Sequence, residues 1–387
     1  MVLTALTPDE ALSKPLLRKQ RPRRFGSRRV LQRCQEESEL KRGQIQTRTN
    51  MGVLLTPITI RHPTMLGALR GRSIAVDGNL ELYQFLSIMR TRDGRPLQDS
   101  HGRITSHLNG LMFRTTRLLV DYDIRPVFVF DGPPPELKRE EIRRRREARE
   151  KSQREYETAV ASGDLATAWS KAVMTSRLTR PMVEEAKTLL TLLGVPWVQA
   201  PSEGEAQAAF LAHRGDVWAA GSKDYDSLLF GAPRLLRFLA VASTEFLPSR
   251  GRSRAVPPEI LDLDENLRAL GLSREQLIDV AILVGTDFNV GVKGIGPKTA
   301  VKRIREWGAI GRAPLEVREA LPVNVETIQS FFQNPPVSTE PVAPIGEPDD
   351  HGLYRFLCDE RGFARDRIEK VIARLDRATS RQTTLDI

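Results

Sequence analysis

The sequence predicts an α/β protein built on a central, mostly parallel sheet flanked by helices. Three observations lead to it. Short apolar runs of strand length recur along the chain, longer stretches with helical spacing separate them, and acidic residues come directly after most of the runs. With 387 residues, 40% of them hydrophobic and 28% charged, the chain can bury a sizeable core and has a globular composition. No apolar run approaches the ~18 residues a membrane span requires, so no membrane partner is expected. The two cysteines, Cys34 and Cys358, lie far apart without His or Cys at ligand spacing. That argues against a disulfide framework or a zinc site and fits a reducing cytoplasm.

Residues 1–50 stand apart. They hold 12 Lys+Arg against 5 Asp+Glu, include RKQRPRRFGSRR from Arg18 to Arg29, and lack sustained apolar periodicity, so disorder is expected. The remaining 337 residues carry 47 basic and 44 acidic groups, so most of the formal charge of +10 sits in this extension. A near-neutral body that binds a polyanion must segregate its charges.

Order is expected from Met51. The runs SIAV (73–76), PVFVF (126–130), VPWVQA (195–200), VWAA (217–220) and LLRFL (235–239) read as buried strands. PMVEEAKTLLTLLG, ending at Gly194, reads as an amphipathic helix between two of them. In such sheets ligands gather beyond the carboxyl ends of the strands. Asp77 follows the first run and Asp131 the second. Glu203 and Glu205 follow the third, Asp224 and Asp226 the fourth, and Asp287 closes a helical stretch further on. One such acid is most simply a helix cap. Seven delivered to one edge repel one another, and divalent cations offset that repulsion best. All-oxygen donors suit Mg²⁺, with Mn²⁺ as a substitute, and two ions ~4 Å apart would serve phosphodiester hydrolysis.

Two basic segments complement the acids. GPPPELKREEIRRRREAREK begins right after Asp131 and predicts a charged helix to about residue 157, with Lys138 and Arg145 on roughly one face. GVKGIGPKTAVKRI (291–304) reads as the turn of a helix-hairpin-helix. Gly294 and Gly296 permit the turn, Pro297 starts a helix, and the free amides with Lys298, Lys302 and Arg303 grip phosphates without reading bases.

From Met51 onward the chain resembles the flap endonuclease family of the XPG/Rad2-like superfamily, in its archaeal form. The strings that carry the resemblance are MGVLLTPI (51–58), VDGNLELYQFL (76–86), TSHLNGL (105–111), VFDGPPPELK (129–138), APSEGEAQ (200–207), GTDFNVGVKGIGPK (285–298) and PDDHGLYRFLCDERGF (348–363). The resemblance implies a PIN-like 5′-nuclease fold with a helical arch over residues 135–180 and a helix-hairpin-helix at 285–304. It makes all seven acids metal-associated and Asp131, Glu203, Lys138 and Arg145 catalytic. It places Tyr83 under the terminal nucleotide, where a π-face accepts any base, and Arg114, Arg117 and the 291–298 turn on DNA, with K⁺ at that turn. It further implies a monomeric Mg²⁺-dependent 5′ flap endonuclease with 5′–3′ exonuclease activity, working on branched duplex DNA in Okazaki fragment maturation and base excision repair, cytoplasmic and nucleoid-associated. The rival readings are a sister nuclease for bubbles or four-way junctions and an inert junction-binding or clamp-recruited scaffold.

Two departures from the family pattern stand out. Its members usually begin at the equivalent of Met51, so residues 1–50 are read as a start-site artefact or a segment removed in the cell, with a DNA-binding arm as the alternative. The terminal RQTTLDI resembles a sliding-clamp peptide through Gln382 and Leu385 but lacks the usual two aromatics, so affinity for a PCNA-type clamp is expected to drop by about one to four decades. The expected regions are 51–155 and 156–310 for the nuclease, 311–375 for a C-terminal helical segment and 376–387 for the tail.

Overall fold

The computed structural model describes residues 52–385 except 92–94, 165–166, 168–170, 172–174, 240–243 and 248–251; side chains within 240–255 and beyond 376 are also outside it. The basic extension and Cys34 thus lie outside the described residues. Asn50–Ile387 forms one compact unit, so the limits drawn at 155 and 310 divide sequence regions and not separate bodies.

Five strands lie parallel side by side: β4 (Trp197–Gln199), β3 (Arg125–Phe130), β2 (Ser73–Asp77), β5 (Ala219–Gly221) and β6 (Arg234–Arg237). The antiparallel β9 (Glu259–Asp262) and the two-residue β1 (His62–Pro63) extend the β6 edge. Each of the five apolar runs overlaps one parallel strand. The antiparallel edge and a separate hairpin, β7 (Thr244–Leu247) with β8 (Arg252–Ala255), were not legible. Their residues are charged and β1 is very short, so neither gives an apolar run.

Side-chain alternation divides the core into two layers. Ala75, Val127 and Val129 face one layer, packed by α5 (Gly204–Arg214), α8 (Arg274–Val284) and α11 (Val325–Gln333). Ile74, Val76, Phe128 and Phe130 face the other, packed by α1 (Gly78–Ile88), α2 (Ser106–Tyr122), α4 (Arg180–Leu192) and α13 (Arg365–Leu385). Helix α4 matches its predicted span, and the left-handed Gly194 (φ 69°) turns the chain toward β4.

The charged helix α3 (Arg139–Ala161) runs longer than expected and buries only Ser152 and Ala159. Pairs such as Arg143–Glu140 and Arg146–Glu150 lace its exposed side. The C-terminal segment is not helical throughout. Residues 335–349 form an extended strap, held where Gln207 donates to the Ser338 carbonyl (2.9 Å) and Gly346 N donates to the Gly194 carbonyl (2.8 Å).

Candidate active site

The four strands that deliver the acids are neighbours in the sheet, in the order β5, β2, β3, β4. Their carboxyl ends therefore open onto one edge, and Asp287 joins them from the turn after α8. Local backbone rules fix several acids first. Asp77 caps α1, accepting from Leu80 N at 2.9 Å. Asp131 accepts from Gly204 N at 2.7 Å and from Asn79 Nδ2 at 2.8 Å, which ties β3 to the starts of α5 and α1. Glu205 accepts from the Ser222 hydroxyl.

The N-terminal turn reaches into the same place. Gly52 N donates to Asp287 (3.0 Å) and Val53 N to Asp226 (3.1 Å). Gly52 has φ +75°, and a Cβ there would sit 2.9 Å from Asp224 Cβ. Only glycine lets the backbone come this close.

The electrostatics are those of crowded acids. Burial and then Asp131 raise Asp77 well above the ordinary carboxylate range. Burial and Asp226 do the same to Glu205. Burial and Asp287 push Asp224 up to about 6 and Asp226 to about 8. Asp287 is the exception: burial would raise it, but Lys138 and Arg145 outweigh burial and hold it below normal.

Those two cations come from the arch. Lys138 Nζ lies 2.5 Å from Glu203 and 3.3 Å from Asp287, and Arg145 reaches Asp287 at 2.8 Å. Pairing keeps Asp287 charged, whereas Asp77, Glu203, Glu205, Asp224 and Asp226 hold protons more tightly, Glu203 because burial outweighs its pairing with Lys138. Among the described residues no three carboxylates close on one point at metal-ligand distance. The donor set nevertheless fits a hard divalent ion: every donor is oxygen, and a 2+ charge offsets the burial and repulsion that raise five of the seven.

The remaining sequence-predicted residues divide. Tyr83 is half-buried on α1. Gly294 adopts φ +85° as a turn residue, but Gly296 is the N-cap of α9 (Pro297–Trp307) with an ordinary φ of −91°. The other tight position is Gly291, φ +75°, where a Cβ would meet Val284 O at 2.3 Å. Lys298 and Lys302 are exposed on α9. Arg117 is half-buried and 3.4 Å from Asp121, near the end of α2 that leads into the start of β3, away from the acids. Gln382 and Leu385 lie in the helical end of α13, with side chains outside the described residues.

Arg114 is a correction. It is 8% exposed, pairs with the buried Glu81, donates to the Leu239 carbonyl and covers the Phe85 ring at 5.7 Å. A buried guanidinium with these partners cannot face DNA. Its spacing from the buried Leu111 and Leu118, at i−3 and i+4, was the available signal. Arg114→Met should destabilise the fold by ~3–5 kcal/mol, as loss of one partner of a buried pair does. Denaturant unfolding measures this, and tighter or weaker DNA binding by the folded variant would contradict it.

Sequence reasoning also missed Asn79, Ser222, Glu81 and the cluster around Arg237, because a single polar residue beside an acid leaves no periodic trace. An acid-lined sheet edge with basic side chains leaning over it handles the phosphates of a polyanion, and the class it defines is a nuclease.

Comparison with known proteins agrees. Residues 51–152 match the XPG N-terminal domain and residues 194–287 the XPG I-region. Flap endonuclease 1 of Pyrococcus horikoshii is 47% identical over 340 residues, covering 87% of this chain and 98% of that protein. The Archaeoglobus fulgidus protein of that name is 48% identical over 339 residues, covering 87% and 99%. The solved flap endonuclease-1 of Methanococcus jannaschii superposes with a TM-score of 0.66 at 39% identity, over 86% of this chain and 100% of that one. The catalytic core of Rad2 in complex with DNA substrate gives 0.61 at 25% identity, over 83% and 97%. The chain belongs to the flap endonuclease family of XPG-type nucleases.

Proposed function

We propose that this protein is a structure-specific 5′ flap endonuclease that cuts branched DNA at the junction of duplex and single strand. One observation carries the reading: four adjacent parallel strands and the turn after α8 bring seven acids to one edge, where Lys138 and Arg145 already touch two of them. Asp77, Asp131, Glu203, Glu205, Asp224, Asp226 and Asp287 would hold two Mg²⁺ ions, with Mn²⁺ able to replace them. Bound there, the ions supply Lewis-acid activation of water and stabilisation of the leaving oxygen.

The chain's own residues do the rest. The 291–298 turn and the exposed Lys298 and Lys302 hold duplex backbone, and the turn would take a K⁺ ion that adds positive charge there, so binding follows shape and charge and not sequence. Tyr83 supports the unpaired terminal base. Lys138 and Arg145 transfer their attachment from Glu203 and Asp287 to the scissile phosphate and stabilise its developing charge. We further propose a monomer acting beside the cytoplasmic nucleoid, with weak sliding-clamp contact through Gln382 and Leu385.

A fluorescent double-flap substrate with Mg²⁺ tests this. Release of the 5′ flap is expected, with 5′-phosphate product and binding that falls by about 10³–10⁵ between 50 and 200 mM salt if 6–10 phosphates are engaged. Full activity in Asp131→Ala or Asp224→Ala would remove the assigned roles. Preferred cleavage of bubbles or four-way junctions would replace the flap reading, and binding without cleavage would favour a scaffold.

A further inference from the structure

Beside the acid edge lies a side chain that neither metal nor substrate would touch. Arg237 ends β6 and is 8% exposed. Strand pairing joins Leu235 to Ala220 and Leu236 to Gly221, so Arg237 falls level with the start of the 222–226 loop. That loop carries Asp224 and Asp226.

The guanidinium holds the loop by its alternate residues. Arg237 Nε donates to the Lys223 carbonyl at 2.8 Å, and NH1 donates to the Tyr225 hydroxyl at 2.7 Å. NH1 also lies 3.2 Å from Glu259, its cross-strand neighbour on β9. The plane is enclosed by two rings, Tyr225 at 4.1 Å and Phe238 at 4.5 Å. Phe238 sits at φ 57°, a left-handed conformation that a bulky residue rarely adopts. Tyr225, 3% exposed, continues the chain of contacts through its hydroxyl to Thr56 Oγ1 at 2.8 Å. Thr56 belongs to the N-terminal turn whose Gly52 and Val53 amides bond Asp287 and Asp226.

From this geometry we infer that Arg237 is a positioning residue for the catalytic carboxylates. By fixing residues 223 and 225, it turns the side chains of 224 and 226 toward the acid edge, and through Tyr225 and Thr56 it locks the N-terminal turn against the same edge. The inference rests on the nuclease reading for its purpose. A flat, five-donor fork reaches three acceptors on two segments in one fixed plane, whereas an ammonium is a compact point charge without that rigid geometry. Groups that orient metal ligands in this way commonly change metal affinity by about 10–100-fold when removed.

The test uses the full chain and two readouts. Mn²⁺ binding to DNA-free protein, followed by electron paramagnetic resonance, should weaken about 10–100-fold in Arg237→Met. Arg237→Lys should weaken it nearly as much, because the fork and not the charge is required. The Mg²⁺ concentration for half-maximal cleavage should rise in parallel, with the rate at saturating Mg²⁺ kept within about threefold and DNA affinity unchanged. Tyr225→Phe, which removes the hydroxyl that Arg237 and Thr56 share, should shift Mn²⁺ binding roughly two- to tenfold in the same direction, and it serves if the arginine variants fail to fold. Wild-type Mn²⁺ affinity in the folded variants overturns the proposal. So does full rescue by Arg237→Lys, which would make the effect one of charge alone. Wild-type protein that binds Mn²⁺ but cuts no branched DNA would defeat the nuclease reading and leave the Arg237 binding comparison intact.

Discussion

Replacing Asp226 with Asn should lower flap cleavage by about 10³-fold or more and raise the thermal stability of the metal-free protein. The first effect comes from losing one ionised oxygen donor where several kcal/mol of transition-state stabilisation are gathered, at 1.36 kcal/mol per tenfold. The second comes from the crowding. Burial and Asp287 push Asp226 up to about 8 from an ordinary value of 3.8. Between those values the folded protein binds a proton that the unfolded chain has lost, so stability falls as pH rises through this window. The penalty is complete above about pH 8 and absent below about pH 4. Asn mimics the protonated acid and can still accept the Val53 amide. The gain in Tm should therefore be small at pH 5, larger at pH 8.5, and outweighed in the wild type by added Mg²⁺. Melting curves with chelator at both pH values measure it. An Asn variant less stable than wild type at pH 8.5 would show that the acids do not repel as the geometry requires.

Lys138→Met should slow single-turnover cleavage by about 10²–10³-fold at saturating Mg²⁺, with Arg145→Met similar. Both cations lie against carboxylates, so they are placed to meet a phosphate that arrives at the same point. Burial would lower Lys138, yet Glu203 and Asp287 raise it above an ordinary lysine, so it stays charged at any working pH. Its contribution should then be independent of pH between 6 and 9. DNA affinity, measured by anisotropy with Ca²⁺ to block cleavage, should change less than about threefold, because the 291–298 turn and α9 carry the grip. A loss seen in affinity with the rate intact would move both residues from catalysis to binding.

The sequence by itself determined the parallel strands and the acids at their ends. An apolar run ending in an acid is a local pattern, and a parallel sheet sends all such ends to one edge. Asp77, Asp131, Glu203, Glu205, Asp224 and Asp226 could therefore be grouped by their places in the chain, and α4, the charged α3 and the turn at Gly294 were legible in the same way. The tertiary structure alone decided which charges meet. Arg145 bonds Asp287 across 142 positions, and Lys138 bonds Glu203 across 65. Arg114 turns inward to Glu81, and Arg237 clamps the loop between two acids. Periodicity reports which face of an element is apolar. Whether a charged side chain pairs across the fold or meets solvent depends on what packs above it, and that is set by segments distant in the chain.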